Sequence, residues 1–186
     1  MLYSRYRIAS GLRFYFRCLI SILTLEFLHN NRVQKLEGKL RLFTGEQNTL
    51  AISQARSGLY SYLKEVIEPG DEVLTSSYTL IDMVNMIICA GGIPVFVDTA
   101  KKHYHICLDD LKRKVTPKTK VLVIPHLYGT CADIEPILEF CKGKDILVFE
   151  DCAQAVGGSH NGERVGTFGD AGVYSFGALK NVNGIF

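Results

Sequence analysis

The stretch 145-DILVFED-151 decides the fold. It is an apolar run of strand length that ends in two carboxylates, and 121-VLVIPH-126 is a second, nearly all-apolar run. Strands whose sequences read as continuous apolar runs are buried on both faces, as they are in a parallel sheet covered by helices. The two runs therefore predict an α/β fold, with a mostly parallel sheet that is flanked by helices.

Helix and strand patterns alternate on either side of these runs. Helical spacing of apolar residues predicts helices over 33–43, 57–67, 80–92, 108–115 and 132–143. Strands are predicted over 48–53, 72–76, 93–98, 121–126, 145–151 and 171–177. Ser57 is expected to cap its helix, and the glycine-rich stretch 157–166 is expected to be a loop. Polar residues follow the strand ends, and ligands of open α/β sheets bind at that edge.

The composition is that of an ordinary folded domain. The chain has 186 residues, of which 47% are hydrophobic and 22% are charged, and this balance excludes disordered and collagen-like classes. A net charge of +2 is too small to indicate a nucleic-acid partner. The six cysteines form no C-x-x-C pair and have no zinc-ligand spacing with histidine, so we expect buried free thiols, no metal site and a reducing cytoplasm.

Residues 1–31 form a basic and apolar segment that is predicted to be helical. Its apolar run, 18–28, is too short to span a bilayer, contains Glu26 and lacks a small-residue cleavage site, so it does not fit a signal peptide. We expect an amphipathic helix that packs on the domain or on a partner subunit, without membrane contact. The alternative is peripheral membrane contact through its arginines. The predicted organisation is this segment followed by a domain over 32–186.

Two side chains after the strand 145–151 are candidates for ligand binding. Asp151 ends an apolar strand, where its charge is costly unless it is paired. Such a carboxylate suits a cationic partner, for example a protonated ring nitrogen. The alternative is that Asp151 only caps the next segment. Gln154 lies three residues further on and could reach the same ligand.

Ser175 and Lys180 follow the last predicted strand. A lysine at the mouth of a sheet can lose its proton and become a nucleophile toward an aldehyde. The alternative is that Lys180 is a solvated surface residue, as most lysines are.

The stretch 55-ARSGL-59 joins a predicted strand to a predicted helix. Backbone N–H groups at a helix N-terminus bind phosphate, and here Ser57 adds a hydroxyl and Arg56 a positive charge. Neither a Walker loop nor a dinucleotide fingerprint is present. A phosphate cradle, a carboxylate, a glutamine, a serine and a lysine together fit pyridoxal phosphate.

The chain resembles the DegT/DnrJ/StrS family of pyridoxal-phosphate-dependent sugar aminotransferases, which have fold type I. The paired signals EDxAQ at 150–154 and SFxxxK at 175–180, with a G-x-x-G-D loop between them, are the most specific. The matching stretches are 69-PGDEVLTSSYTL-80, 91-GGIPVFVD-98, 116-TPKTKVLVIPHLYGTCADIEPI-137, 150-EDCAQAVGGSHNGERVGTFGDAGVYSFGALKN-181 and, more weakly, 33-VQKLEGKL-40 and 55-ARSGLY-60.

The resemblance implies a role for each candidate residue. Lys180 would be the Schiff-base lysine and the proton shuttle. Asp151 would keep the pyridine nitrogen protonated, and Gln154 would bond the ring hydroxyl. Ser175 would hold the phosphate.

The resemblance also implies that Ser57 and Gly58 meet the phosphate at the helix start. The glycine-threonine pair that is usual at this site reads Arg56-Ser57 here. The aromatic residue that normally stacks on the ring is replaced by Leu80, so the stacking would be lost or taken over by Tyr78.

The implied reaction moves an amino group, usually from glutamate, to a nucleotide-linked keto-sugar in cell-surface polysaccharide or secondary-metabolite biosynthesis. Lys180 favours transamination, because the related sugar dehydratases carry histidine there. The family is homodimeric, and residues 32–186 would be a truncated large domain without the small domain, so an inactive fragment is expected. The alternatives are a non-catalytic binding or interaction module, or another fold-type-I enzyme such as a cysteine desulfurase.

Overall fold

The computed structural model describes residues 12–24, 31–101, 103–177, 180 and 182, except for the side chains of residues 14 and 31. Within these residues the helices are α1 Leu12–Leu23, α2 Asn31–Thr44, α3 Ala55–Val66, α4 Ile81–Ala90, α5 Leu108–Lys114 and α6 Glu135–Lys142. The strands are β1 Glu72–Ser76, β2 Ile93–Val97, β3 Thr119–Pro125, β4 Leu147–Asp151, β5 Ser159–His160, β6 Glu163–Arg164 and β7 Ala171–Val173.

Five strands form one sheet in the order β2-β1-β3-β4-β7. Every neighbouring pair in it is parallel. The apolar runs that predicted a parallel sheet become β3 and β4, which pair with each other near its centre. The predicted fold class is therefore confirmed.

The sheet has an apolar core on each face. On one face Leu74, Leu122 and Val148 pack with side chains of α5 and α6. On the other face Val73, Val121 and Phe149 pack with side chains of α3 and α4. Successive strand residues point to opposite faces. The consecutive apolar residues 121–125 of β3 and 147–149 of β4 fit a sheet that is covered on both faces.

The chain divides into two compact units, one within residues 1–51 and 176–186 and the other within 52–175. The first unit contains α1 and α2, and the predicted helix over 33–43 is confirmed by α2. In α1 most apolar side chains are exposed, including Leu12 at 88% and Phe16 at 64%. None of the described helices is both long and apolar enough for a membrane span. The domain boundary at residue 31 stays a prediction, and residues 1–11 and 25–30 of the predicted helical segment lie outside the described residues.

Three local predictions are wrong. Residues 48–53 form no strand, because the backbone N–H of Ala51 donates to Glu37 Oε1 on α2 at 2.9 Å instead of to a neighbouring strand. Ser57 is not the helix cap: α3 begins at Ala55, after an extended Gln54, and the Ser57 N–H donates to the Gln54 carbonyl oxygen at 3.1 Å.

The third wrong prediction concerns 157–166, which contains the antiparallel hairpin β5–β6. Its turn uses Asn161 and Gly162, both at positive φ, as a two-residue Asn-Gly hairpin turn requires. The last predicted strand is also shorter than expected. It ends at Val173, whose register partner Asp151 is the last residue of β4, so no ladder remains for residues 174–177.

Candidate active site

Two helix N-termini lie at the carboxyl edge of the sheet. Helix α4 follows β1, so it starts at the edge where β1 ends. Helix α3 precedes β1 and leads into it through a tight turn at 67–71, so it runs opposite to the strand and also starts at this edge. Orphan N–H groups and the positive ends of two helix dipoles therefore meet the strand ends here.

Asp151 is buried at the end of β4, with 6% of its surface exposed. Asp151 lies two residues after Phe149 in the strand, so both side chains point to the same sheet face. The side chain of Phe149 packs in the core beneath α3 and α4. Its Oδ1 accepts a hydrogen bond from the Ala153 N–H at 3.0 Å. The expected buried carboxylate is therefore present, and the local turn that the capping alternative predicted is present as well.

The start of α3 lies beside the same strand ends. A Cβ added at Gly58 would be 3.5 Å from Val173 Cγ2, an ordinary contact distance, so the start of α3 lies against β7. The same Cβ would be 2.6 Å from Ile52 Cδ1, so the glycine leaves room for that side chain. Val173 is the register partner of Asp151. The structure thus brings Gly58, and with it Arg56 and Ser57 in the first turn of α3, to the corner where β4 ends.

Arg56 is fixed by two oxygen acceptors. Its Nη1 donates to Asp82 Oδ2 at 2.7 Å, and its Nε donates to Gln54 Oε1 at 2.7 Å. Asp82 lies in the first turn of α4, so the ion pair links the N-termini of the two helices. No role was predicted for Asp82 from its sequence context.

Glu150 is a second residue whose role the sequence analysis missed. It is fully buried on the opposite sheet face from Asp151. Its Oε1 accepts from the N–H groups of Phe168 and Gly169, at 2.7 and 2.8 Å, and its Oε2 accepts from the Gly166 N–H at 2.8 Å. The buried carboxylate therefore anchors the loop 166–169, which the sequence contained as its G-x-x-G motif.

His126 is the fourth hydrogen-bond donor to Glu150. Its Nε2 lies 2.8 Å from Glu150 Oε2, and its Nδ1 accepts from the Ala132 N–H at 3.4 Å. Both contacts are satisfied when the ring carries its proton on Nε2. Burial raises the pKa of Glu150, but hydrogen bonds from His126, Gly166 and Gly169 outweigh it, so the pKa is lowered.

Tyr78 contacts two other tyrosines at the carboxyl edge. Its ring stacks on Tyr104 with centroids 5.4 Å apart, and its hydroxyl lies 2.7 Å from the Tyr128 hydroxyl. Tyr128 has a positive φ of 56°, which few non-glycine residues adopt. Whether Tyr78 stacks on a cofactor ring stays a prediction.

The remaining predicted residues lie along the segments that leave β4 and β7. Gln154 is half-buried, and its carbonyl oxygen accepts from the Gly129 N–H at 3.0 Å. Ser175 is half-buried two residues after β7. Lys180 belongs to the other compact unit, where its backbone N–H donates to the Gly177 carbonyl oxygen at 2.9 Å. The approach of Lys180 to Asp151 stays a prediction.

Two groups of described residues have the donor types of a metal site. They are His126, Glu150 and Cys152, and Asp133, Glu135 and His160. In the first group the Glu150 oxygens are satisfied by hydrogen-bond donors, and burial raises the pKa of the Cys152 thiol far above its usual value, which disfavours the thiolate. This group therefore functions as a structural network around Glu150.

The donor set at the α3 corner fits pyridoxal phosphate. Asp151 supplies a buried carboxylate, which suits a protonated ring nitrogen. Arg56 and the first turn of α3 supply positive charge for a phosphate. The fit includes one opposing feature, because the Asp82 carboxylate also contacts Arg56.

Comparisons with known proteins identify the family of this chain. The pattern of the DegT/DnrJ/EryC1/StrS aminotransferase family matches residues 21–185. A GDP-perosamine synthase of Escherichia coli O157:H7 is 37% identical over 153 residues, which cover 82% of this chain and 42% of the relative. The chain therefore spans less than half the length of this curated relative.

Solved structures show the same partial match. PseC of Helicobacter pylori, an aminotransferase of pseudaminic acid biosynthesis, superposes with a TM-score of 0.77 and 26% identity, over 82% of this chain and 42% of its own. The fold also matches an E. coli GDP-4-keto-6-deoxy-D-mannose-3-dehydratase with bound hydrated PLP, at a TM-score of 0.85 and 21% identity, over 96% of this chain and 48% of the other. By its sequence pattern and its fold, this chain belongs to the DegT/DnrJ/EryC1/StrS aminotransferase family.

Proposed function

We propose that this chain supplies the cofactor-binding part of a pyridoxal-phosphate-dependent aminotransferase that acts on a nucleotide-linked keto-sugar, with glutamate as amino donor. The family assignment and the similarity to a GDP-perosamine synthase support the reaction class and the substrate class. A cytoplasmic location and a homodimer belong to the same proposal.

The observation that carries the proposal is the buried carboxylate of Asp151 at the end of β4. A buried carboxylate favours a cationic ligand beside it. Pyridoxal phosphate, when bound, supplies a pyridinium ring as that cation and an aldehyde for a lysine. Asp151 then keeps the ring nitrogen protonated, which maintains the ring as an electron acceptor.

The other residues position the group and move protons. Arg56, Ser57 and Gly58, at the start of α3, bind the phosphate together with Ser175. Gln154 orients the ring by a hydrogen bond to its hydroxyl. Lys180 would hold the aldehyde of the group through Nζ and would move a proton at the reacting carbon.

The first test is an absorbance titration with pyridoxal phosphate, followed by borohydride reduction and peptide mass analysis. We expect a visible band and a reduced adduct on Lys180 in the unchanged chain, and neither in Lys180→Ala. Lys144→Ala is the matched control, because Lys144 is an exposed lysine remote in sequence from the proposed cradle. Equal adduct formation in Lys180→Ala and Lys144→Ala would refute the assignment of Lys180.

The second test concerns the ring partner and the amino donor. In Asp151→Asn the ring nitrogen loses its anionic partner, so the absorbance of the bound cofactor should shift and its conversion by glutamate should be lost. A panel of glutamate, alanine and cysteine distinguishes the reactions, because a cysteine desulfurase would act on cysteine. Conversion by cysteine alone would refute the aminotransferase proposal.

A further inference from the structure

Arg56 and Asp82 form an ion pair at the entrance to the proposed phosphate site. Arg56 Nη1 and Asp82 Oδ2 are 2.7 Å apart, and the two side chains are 43% and 56% exposed. A ligand at the start of α3 can therefore reach both groups. Gln54 holds the same guanidinium from its other edge, with Nε and Oε1 2.7 Å apart.

The carboxylate of Asp82 occupies an N–H group of Arg56 that a phosphate would also use. An arginine donates through five N–H groups in a fixed fork, and this fork binds carboxylates and phosphates in the same geometry. A phosphate that approaches Arg56 also approaches the negative charge of Asp82. The two anions therefore compete for one cation.

We propose that Asp82 is an intramolecular competitor for the cofactor phosphate and lowers the affinity of the site for it. The inference rests on the proposed function, because the phosphate is that of the proposed cofactor. Binding of the phosphate exchanges the carboxylate for the phosphate on Arg56. No covalent bond is made or broken in this exchange.

The contrary role, in which Asp82 orients Arg56 for the phosphate, predicts the opposite effect of neutralising Asp82. Gln54 already fixes the guanidinium through Nε, so the orientation of Arg56 does not depend on Asp82 alone. The negative charge of Asp82 is then the larger effect, since it acts on the phosphate directly as well as through Arg56.

The test is calorimetric titration with pyridoxamine 5′-phosphate and with pyridoxamine, neither of which needs the lysine reaction. Asp82→Asn should bind the phosphorylated ligand about threefold to fivefold more tightly than the unchanged chain, the size expected for an exposed ion pair. Binding of pyridoxamine should not change. Glu65→Gln is the control, because it removes one exposed negative charge from α3 at the end remote from Arg56.

A double-variant cycle assigns the effect to the ion pair. Arg56→Gln should weaken binding of the phosphorylated ligand, and in that background Asp82→Asn should improve binding by less than it does alone. The ion pair also predicts that added salt reduces the difference between Asp82→Asn and the unchanged chain.

Several outcomes would overturn the inference. They are weaker or unchanged binding of the phosphorylated ligand by Asp82→Asn, an equal gain for pyridoxamine, an equal gain in Glu65→Gln, or no measurable binding of the phosphorylated ligand to any variant. The borohydride test of Lys180 judges the proposed function separately. An adduct on Lys180 without any effect of Asp82→Asn would refute only the role of Asp82.

Discussion

Removing the Glu150 carboxylate should destabilise the domain more than any change of an exposed charge. Glu150 is fully buried and accepts hydrogen bonds from His126 Nε2 and from three backbone N–H groups of the loop 166–169. In Glu150→Ala these four donors lose their acceptor in a buried site. Each buried unsatisfied donor costs about 1–3 kcal/mol, so we expect a loss of about 4 kcal/mol or more if none of the four donors finds water.

Glu150→Gln provides the graded version of this test, because it keeps the shape of the side chain. The glutamine Oε1 can still accept from Phe168 and Gly169. Its NH2 group then faces two donors, the Gly166 N–H and His126 Nε2–H. If His126 moves its proton to Nδ1 to relieve one conflict, that proton faces the Ala132 N–H. At least one donor stays unsatisfied, so we expect a cost of about 2–3 kcal/mol.

The assay is urea unfolding followed by circular dichroism, with amide exchange of residues 166–169 as a local readout. A domain of this kind has a total stability of about 5–15 kcal/mol, so Glu150→Ala is expected to lose a large fraction of it and Glu150→Gln a smaller, measurable fraction. Glu163→Gln is the matched control, since Glu163 is exposed on β6. Equal stabilities of Glu150→Gln and Glu163→Gln would refute the anchoring role, as would unchanged exchange protection at Gly166 and Gly169.

The same carboxylate gives the stability a pH dependence. Burial raises the pKa of Glu150, but its hydrogen bonds outweigh this and lower the pKa below the ordinary 4.5. A group with a lowered pKa stabilises the folded state above its ordinary pKa and loses that contribution as the pH falls through its folded value. The unchanged chain should therefore lose stability below about pH 4.5 more steeply than Glu150→Gln does.

Two further predictions concern packing and thiol reactivity. A Cβ at Gly169 would lie 2.5 Å from the Val148 carbonyl oxygen, so Gly169→Ala should cost about 3 kcal/mol in urea unfolding. A Cβ at Gly38 on α2 would meet open space, so Gly38→Ala should raise the free energy of unfolding by about 1 kcal/mol. A less stable Gly38→Ala than Gly169→Ala would contradict the packing. Cys89 is exposed and should react with Ellman's reagent in the folded chain, whereas Cys141 should react only on unfolding, because burial raises its pKa to about 12. Mass analysis of the labelled peptides checks this, and equal labelling rates would contradict it.

The sheet could be predicted because each central strand is recognisable from its own consecutive apolar residues. The stretches 121–125 and 146–149 are apolar at every position, which is typical of strands covered on both faces. Strand β4 runs from Leu147 to Asp151, within the predicted range. The helices α2 and α4 were also predicted from apolar spacing, and Gly91 ends α4 with a positive φ of 98°, as a C-terminal glycine does.

The wrong predictions concern stretches in which the local residue pattern does not determine the backbone conformation. The stretch 48–53 has enough apolar residues for a strand, but its Ala51 N–H is satisfied by Glu37, 14 residues away on α2. No property of the stretch itself indicates that partner. The start of α3 was displaced by two residues because Ser57 is a favoured cap residue in general, while Gln54 adopts the extended conformation that actually precedes the helix.

The candidate site could be predicted in its residue types, and less so in the roles of adjacent residues. The sequence places Glu150 and Asp151 together, and both end an apolar strand. The pleat separates them: Glu150 points toward the face of α6 and Asp151 toward the face of α3. The backbone donors for Glu150 come from 16 to 19 residues further along the chain and His126 lies 24 residues before it, so only the tertiary fold reveals its role.

The different roles of the Glu150 and Asp151 carboxylates follow from the groups that surround each of them. Glu150 is satisfied by four donors of the protein itself, so its charge is already stabilised and it has no need of a ligand. Asp151 lies beside helix starts that carry Arg56, and it accepts a local hydrogen bond from Ala153. Its strand parity directs it to the face on which α3 presents its N-terminus. A cationic ring bound at this corner, as the proposed function requires, would face Asp151, while Glu150 holds the loop 166–169 against the opposite face, so the two carboxylates are not interchangeable.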